Sequence, residues 1–170
     1  MSTYRNISVN KKRIYTAAVF IFAVIFLTGC SKQIDPLPNE ISGLKLDKKL
    51  TGKDANDFLS RMHSGEVGSA KNEIGFYSGD QGGATIYVSY FEDKFQARDE
   101  ESKMTDKISL GKSAYTNGIQ YYIDGQKIFK CTGYSQSHFI FSLEANLYWL
   151  TADTEIDRKL LSDYLEYLNN

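Results

Sequence analysis

The densest group of reactive side chains lies in the run Cys131-Thr132-Gly133-Tyr134-Ser135-Gln136-Ser137-His138. A thiol and an imidazole can form a nucleophile–base pair only within hydrogen-bond reach of each other. On one continuous strand, positions seven apart face opposite sides, and at about 3.3 Å per residue they stand roughly 23 Å apart. Unless a sharp turn at Gly133 folds the run back, this spacing argues against a Cys–His enzyme. Parity instead puts Tyr134, Gln136 and His138 on one face, where they could line a polar pocket. Cys131 is then a buried, inert thiol, and no catalytic residue is expected.

Other chemistry is thinner. The sequence holds two histidines, His63 and His138, and no paired cysteines, so zinc-ligand spacing is missing and no metal site is expected. The carboxylates Asp99-Glu100-Glu101 fall inside a helical pattern, would splay around it, and read as a solvated face. The glycine-rich run Ser78-Gly79-Asp80-Gln81-Gly82-Gly83 joins two strand patterns and opens no helix, so it lacks the context of a phosphate cradle. No Gly-x-Ser-x-Gly elbow or His-Glu-x-x-His pair occurs, and nothing calls for a cofactor.

The elements that would position these residues follow from periodicity. Ala55, Phe58, Leu59 and Met62 make a helical stripe over about Lys53 to His63, with Thr51 able to cap it. A second helix over Lys94 to Ile108 starts behind Asp93 and carries a thin stripe: Phe95, Ala97, Met104 and Ile108. A third, over Glu155 to Leu168, repeats Ile156, Leu160, Leu161, Tyr164, Leu165 and Leu168, with Asp153 or Thr154 as cap. Six strands are expected between them: Glu73 to Tyr77, Ala84 to Phe91, Ile119 to Ile123, Lys127 to Tyr134, His138 to Leu143 and Leu147 to Thr151. Asp124-Gly125 suits a type I′ turn, and Glu144-Ala145-Asn146 is another short reversal, so neighbouring strands should be antiparallel. The fold class is α+β: a single antiparallel sheet of about six strands with three helices.

Both faces of the last strands are apolar, Leu147 and Trp149 on one side and Tyr148 and Leu150 on the other. A sheet with one wet face alternates cleanly. Helices therefore cover both sides, or one side offers an aromatic surface. A cleft over Tyr148 and Leu150 would favour a ligand carrier, and a closed core there an adaptor. The segment Tyr134 to Leu150 is similar to small uncharacterised bacterial proteins, a resemblance that implies no activity and no functional residues.

The start of the chain addresses it. Lys11, Lys12 and Arg13 precede an apolar run, Ile14 to Leu27, which is short of the roughly 20 residues a membrane-crossing helix needs. The run ends Leu27-Thr28-Gly29-Cys30, which resembles the lipobox of bacterial lipoprotein precursors. That resemblance implies a signal peptide over 1–29, cleavage between Gly29 and Cys30, and lipid on the Cys30 thiol. Ser31, where an aspartate would retain such a protein at the inner membrane, implies the outer membrane facing the periplasm in a Gram-negative cell, and otherwise the outer face of the cell membrane. Residues 30–39, with both prolines, read as a lipidated tether, and residues 40–170 as one globular domain.

Removing residues 1–29 takes away four basic side chains and leaves 16 against 21 acidic ones, a net charge of −5. Such a surface repels phosphate backbones, so nucleic acid is not an expected partner. The reading is a lipid-anchored, non-catalytic interaction domain with an envelope protein as partner. The alternative is an envelope carrier or sensor for a small apolar ligand. The processed protein should begin at Cys30 and carry acyl mass, and Cys30→Ser should move it out of the sedimenting envelope fraction. An unmodified terminus in the mass spectrum would remove the anchor.

Overall fold

The computed structural model describes residues 34–63 and 71–170. The expected signal peptide and cleavage site lie outside them. Eight strands are present: β1 (Glu40–Ile41), β2 (Leu44–Thr51), β3 (Lys71–Gly79), β4 (Gly82–Tyr90), β5 (Thr116–Ile123), β6 (Gln126–Gly133), β7 (Gln136–Leu143) and β8 (Asn146–Asp153). Three helices accompany them: α1 (Gly52–His63), α2 (Lys94–Ser109) and α3 (Asp157–Asn169). The strands form one open sheet in the order β1-β2-β3-β4-β8-β7-β6-β5. All its pairings are antiparallel. The fold is α+β, with eight strands where the sequence suggests about six. The two extra strands are β1 and β2. β2 reads Leu-Lys-Leu-Asp-Lys-Lys-Leu-Thr, and its alternation is broken by a bulge between Leu46 and Lys48.

The two faces are covered unequally. On one, α3 lays Leu160, Leu161, Tyr164 and Leu165 over Ile86, Val88, Phe139, Phe141, Tyr148 and Leu150. This face is closed, Tyr148 being 3% exposed and Leu150 0%, the arrangement that favours an adaptor over a carrier on this side of the sheet. On the other, α1 brings Ala55 and Leu59 onto Ile74 near the β2–β3 edge. There α2 brings Ile108 onto Cys131, Ile140 and Leu147. Burying side chains of this size contributes roughly 1.5–3 kcal/mol each, less their ordering entropy. Among the described residues no helix is long and apolar enough to cross a membrane.

Local signals explain the helix starts. Asp93 caps α2 as expected, its Oδ1 accepting from Phe95 N at 2.7 Å and Gln96 N at 3.0 Å. The start of α3 is different: Ile156 stands at the cap with no side-chain bond, and the helix begins at Asp157. Asp153 is committed elsewhere, accepting from Gly83 N at 2.7 Å and Gln136 Nε2 at 3.1 Å.

The expected tether over 30–39 needs correction in its described part. Asp35–Asn170 form one compact unit. Leu37 enters the core beneath α3 at 2% exposure. Three tyrosine hydroxyls donate to this segment: Tyr164 to Pro36 O at 2.6 Å, Tyr167 to Asp35 O at 2.8 Å and Tyr77 to Pro38 O at 3.1 Å. A proline-containing strip cannot pair through every amide, so side chains satisfy its carbonyls. Tyr164→Phe leaves the buried Pro36 carbonyl without its donor and should destabilise the fold by about 1–3 kcal/mol in urea unfolding. An unchanged midpoint would show that the strip contributes nothing to stability.

Candidate functional site

The helices α1 and α2 leave uncovered the seam where β4 pairs with β8. Here Tyr87 lies directly opposite Trp149, Ser89 opposite Leu147 and Thr85 opposite Thr151. Directly paired residues share a face, so Tyr87 and Trp149 both stand on the floor, Tyr87 packed toward the α1 side and Trp149 toward the α2 side. Above it is a cavity of about 400 Å³. Leu59 and Met62 of α1 form one wall, and Glu100, Met104 and Lys107 of α2 the other. Those three residues of α2 are spaced by four and then three, so they share one side of the helix.

Tyr115 and Tyr134 close one end of the cleft, where Gln136, His138 and Thr151 also line it. The Tyr115 ring packs against His138 at 4.7 Å between centroids, Trp149 at 5.1 Å and Tyr134 at 5.9 Å. Gly133 permits this approach, because a Cβ there would stand 2.5 Å from the Tyr115 ring. The aromatic residues thus brace one another from β5's leading loop, the β6–β7 turn, β7 and β8.

His138 ties the floor together. Its Nε2 lies 3.0 Å from Gly133 O, and its Nδ1 accepts from Trp149 Nε1 at 3.1 Å. A carbonyl only accepts and an indole N–H only donates, so the partners fix a neutral imidazole with its proton on Nε2. Thr151 Oγ1 also lies 3.0 Å from Nδ1. Burial lowers the His138 pKa, against an upward pull from the Gly133 bond.

The geometry of Cys131 and His138 overturns the expectation of distant groups on opposite sides. The chain reverses at Tyr134 and Ser135, both at positive φ (52° and 62°), and Cys131 becomes the direct register partner of His138. They are cross-strand neighbours on one face. A nucleophilic pair still requires a thiol that can ionise and an imidazole nitrogen free to take its proton. Cys131 is 0% exposed, and burial pushes its thiol up to about 11. Both imidazole nitrogens are already engaged.

The three pocket residues suggested by the sequence, Tyr134, Gln136 and His138, all line the cleft. Cys30 and Gly29 lie outside the described residues. Sequence reasoning missed Tyr87, Tyr115, Met62, Met104 and Lys107 as cleft residues. The available signal was the mixed face of β4: Thr85, Tyr87, Ser89 and Phe91 are neither a polar nor an apolar row. Another correction concerns the carboxylate run. Asp99 is exposed and Glu100 pairs with Lys103 at 2.6 Å, but Glu101 is 1% exposed. Glu101 Oε2 accepts from Ser142 N at 3.0 Å and Ser142 Oγ at 2.6 Å, and Lys127 Nζ stands 2.7 Å from Oε1. It is a buried ion pair joining α2 to the sheet rather than a solvated side chain. Among the described residues, no three His, Cys, Asp or Glu side chains gather as a metal site would require.

No protein-family model, curated protein or solved structure matches the chain.

The lowered His138 pKa gives stability a definite pH dependence. An unfolded imidazole titrates near 6.5, and the folded one below it. As pH falls, the unfolded state binds the proton first, so His138's contribution is full above about 6.5 and drains away below it. The melting temperature should therefore fall between about pH 7.5 and 5.5, and fall less in His138→Gln. A variant as acid-sensitive as the wild type would place that sensitivity elsewhere.

Proposed function

We propose that this chain is a lipid-anchored envelope lipoprotein whose α+β domain binds a small, largely apolar ligand in the cleft between α1 and α2. The observation carrying this reading is the aromatic slot itself, about 400 Å³ over the Tyr87–Trp149 floor. That volume falls within the roughly 300–1,000 Å³ range of small-molecule sites, which are mainly apolar with a few placed polar groups. Methionines on both walls, Met62 and Met104, can adjust to an occupant's shape. The domain acts by binding rather than catalysis: the imidazole is fully hydrogen-bonded and the thiol is buried and protonated. The anchor rests on the Leu27-Thr28-Gly29-Cys30 sequence, and it keeps the binding site at the membrane surface.

A second reading, interaction with an envelope protein, is favoured by the closed core over Tyr148 and Leu150 and by β5. This strand ends the sheet and exposes Ile119 (57%) and Tyr122 (64%). An edge strand can accept another strand through its free backbone groups.

Native mass spectrometry of the full chain, released from detergent, separates these readings. The wild type should retain a bound small molecule. Met104→Trp, which projects a large ring into the slot, should weaken retention by about tenfold or more. A wild type that carries no added mass, together with in-cell crosslinking through β5 to a single protein, would favour the protein-partner reading instead.

A further inference from the structure

Resting on the cleft as the binding site, we infer that its ligand is an amphiphilic anion: a flat apolar body over Tyr87 and Trp149, with one carboxylate-like group held by Lys107. The floor sets the body. Leu147 to Thr151 is four steps along β8, roughly 13 Å at about 3.3 Å per step, and residues at both ends of that length line the slot. Its two central side chains are rings, and a planar apolar molecule covers such a surface with offset or edge contacts.

The charged side chains of the wall set the sign. Glu100 already has a counter-ion, Lys103 Nζ 2.6 Å away, which it shares with Asp99 at 2.8 Å. Lys107 makes no ion pair among the described residues, although it lies on the same side of α2 as Met104 and lines the slot. Lys107 is exposed, so its ammonium can turn toward an occupant of the slot. Along the seam, Gln136 and Thr151 line one end of the slot, and Phe91 and Leu147 the other. A slot-lining lysine with no ion pair among the described residues, beside a carboxylate that already has a lysine, favours a negative head group over a positive or neutral one.

The test uses 2-naphthylacetate and its neutral amide, two molecules with one apolar body and different charge. They are titrated into the ¹⁵N-labelled full chain in detergent, with matched blanks. Trp149 is the only tryptophan, so its indole N–H gives one side-chain signal located at the floor. Both probes should move that signal, with the acid binding about three- to fivefold more tightly, the range expected of one exposed ion pair. Lys107→Gln should bring the acid-to-amide affinity ratio close to one, and Lys107→Arg should restore it. Equal affinities in the wild type would overturn the anion and leave the cleft standing. A preference that survives Lys107→Gln would overturn the assignment of the head group to Lys107. If neither probe moves the Trp149 signal, the cleft reading fails with it.

Discussion

The antiparallel seam between β4 and β8 is the constraint on which the rest of the molecule depends. Neither neighbouring segment creates it locally, because β4 and β8 lie far apart in the chain and meet only when the β5–β8 meander swings back. Closing so long a loop carries an entropic cost that short hairpins avoid. Once formed, the seam joins β1–β4 and β5–β8 into one sheet. It also sets Tyr87 beside Trp149. Because α1 joins β2 to β3 and α2 crosses to the far edge strand β5, the two helices settle over opposite halves of one face. The cleft is the strip of seam that neither helix reaches. On the other face α3 closes the same seam with Tyr164 and the leucines around it.

The parts legible in the sequence are those with a local signature. The helical stripes, the Asp93 cap and the Asp124-Gly125 turn each announce themselves within a few residues. Six of the eight strands follow from them. The β6–β7 turn had no such signature. Its central residues, Tyr134 and Ser135, take positive φ, a conformation usually left to glycine, asparagine or aspartate. Reading across that turn as though the strand continued made a parity argument count seven steps in one direction. The chain in fact takes two steps from Cys131 to the end of β6, turns, and comes back beside itself. That reversal changes Cys131 and His138 from remote groups into direct partners.

Two further misreadings share a cause: polar residues whose partners come from elsewhere in the fold. Glu101 looks like one of three solvated carboxylates until Ser142 and Lys127 are brought to it. Pro36 and Pro38 look like a free tether until tyrosines from β3 and α3 take hold of its carbonyls. Local polarity does not say whether water or protein will satisfy a group. Burying it is costly unless the partner is supplied, and here the partners come from segments distant in sequence. Asp153 shows the converse. It sits where a helix cap is wanted, but Gly83 and Gln136 engage it instead.

The cleft follows the same accounting. Its floor carries an imidazole, an indole N–H and a threonine hydroxyl, yet these groups face one another: Trp149 donates to His138, and His138 is held to Gly133. A site built for proton transfer keeps a nitrogen available to the reacting atom, whereas this one uses both to fix ring positions. What the floor then offers an incoming molecule is shape and aromatic surface, already organised before binding. Selectivity must come from groups at the margin that are not yet committed. On the α2 wall that separates Lys107 from Glu100, which already shares a counter-ion with Asp99.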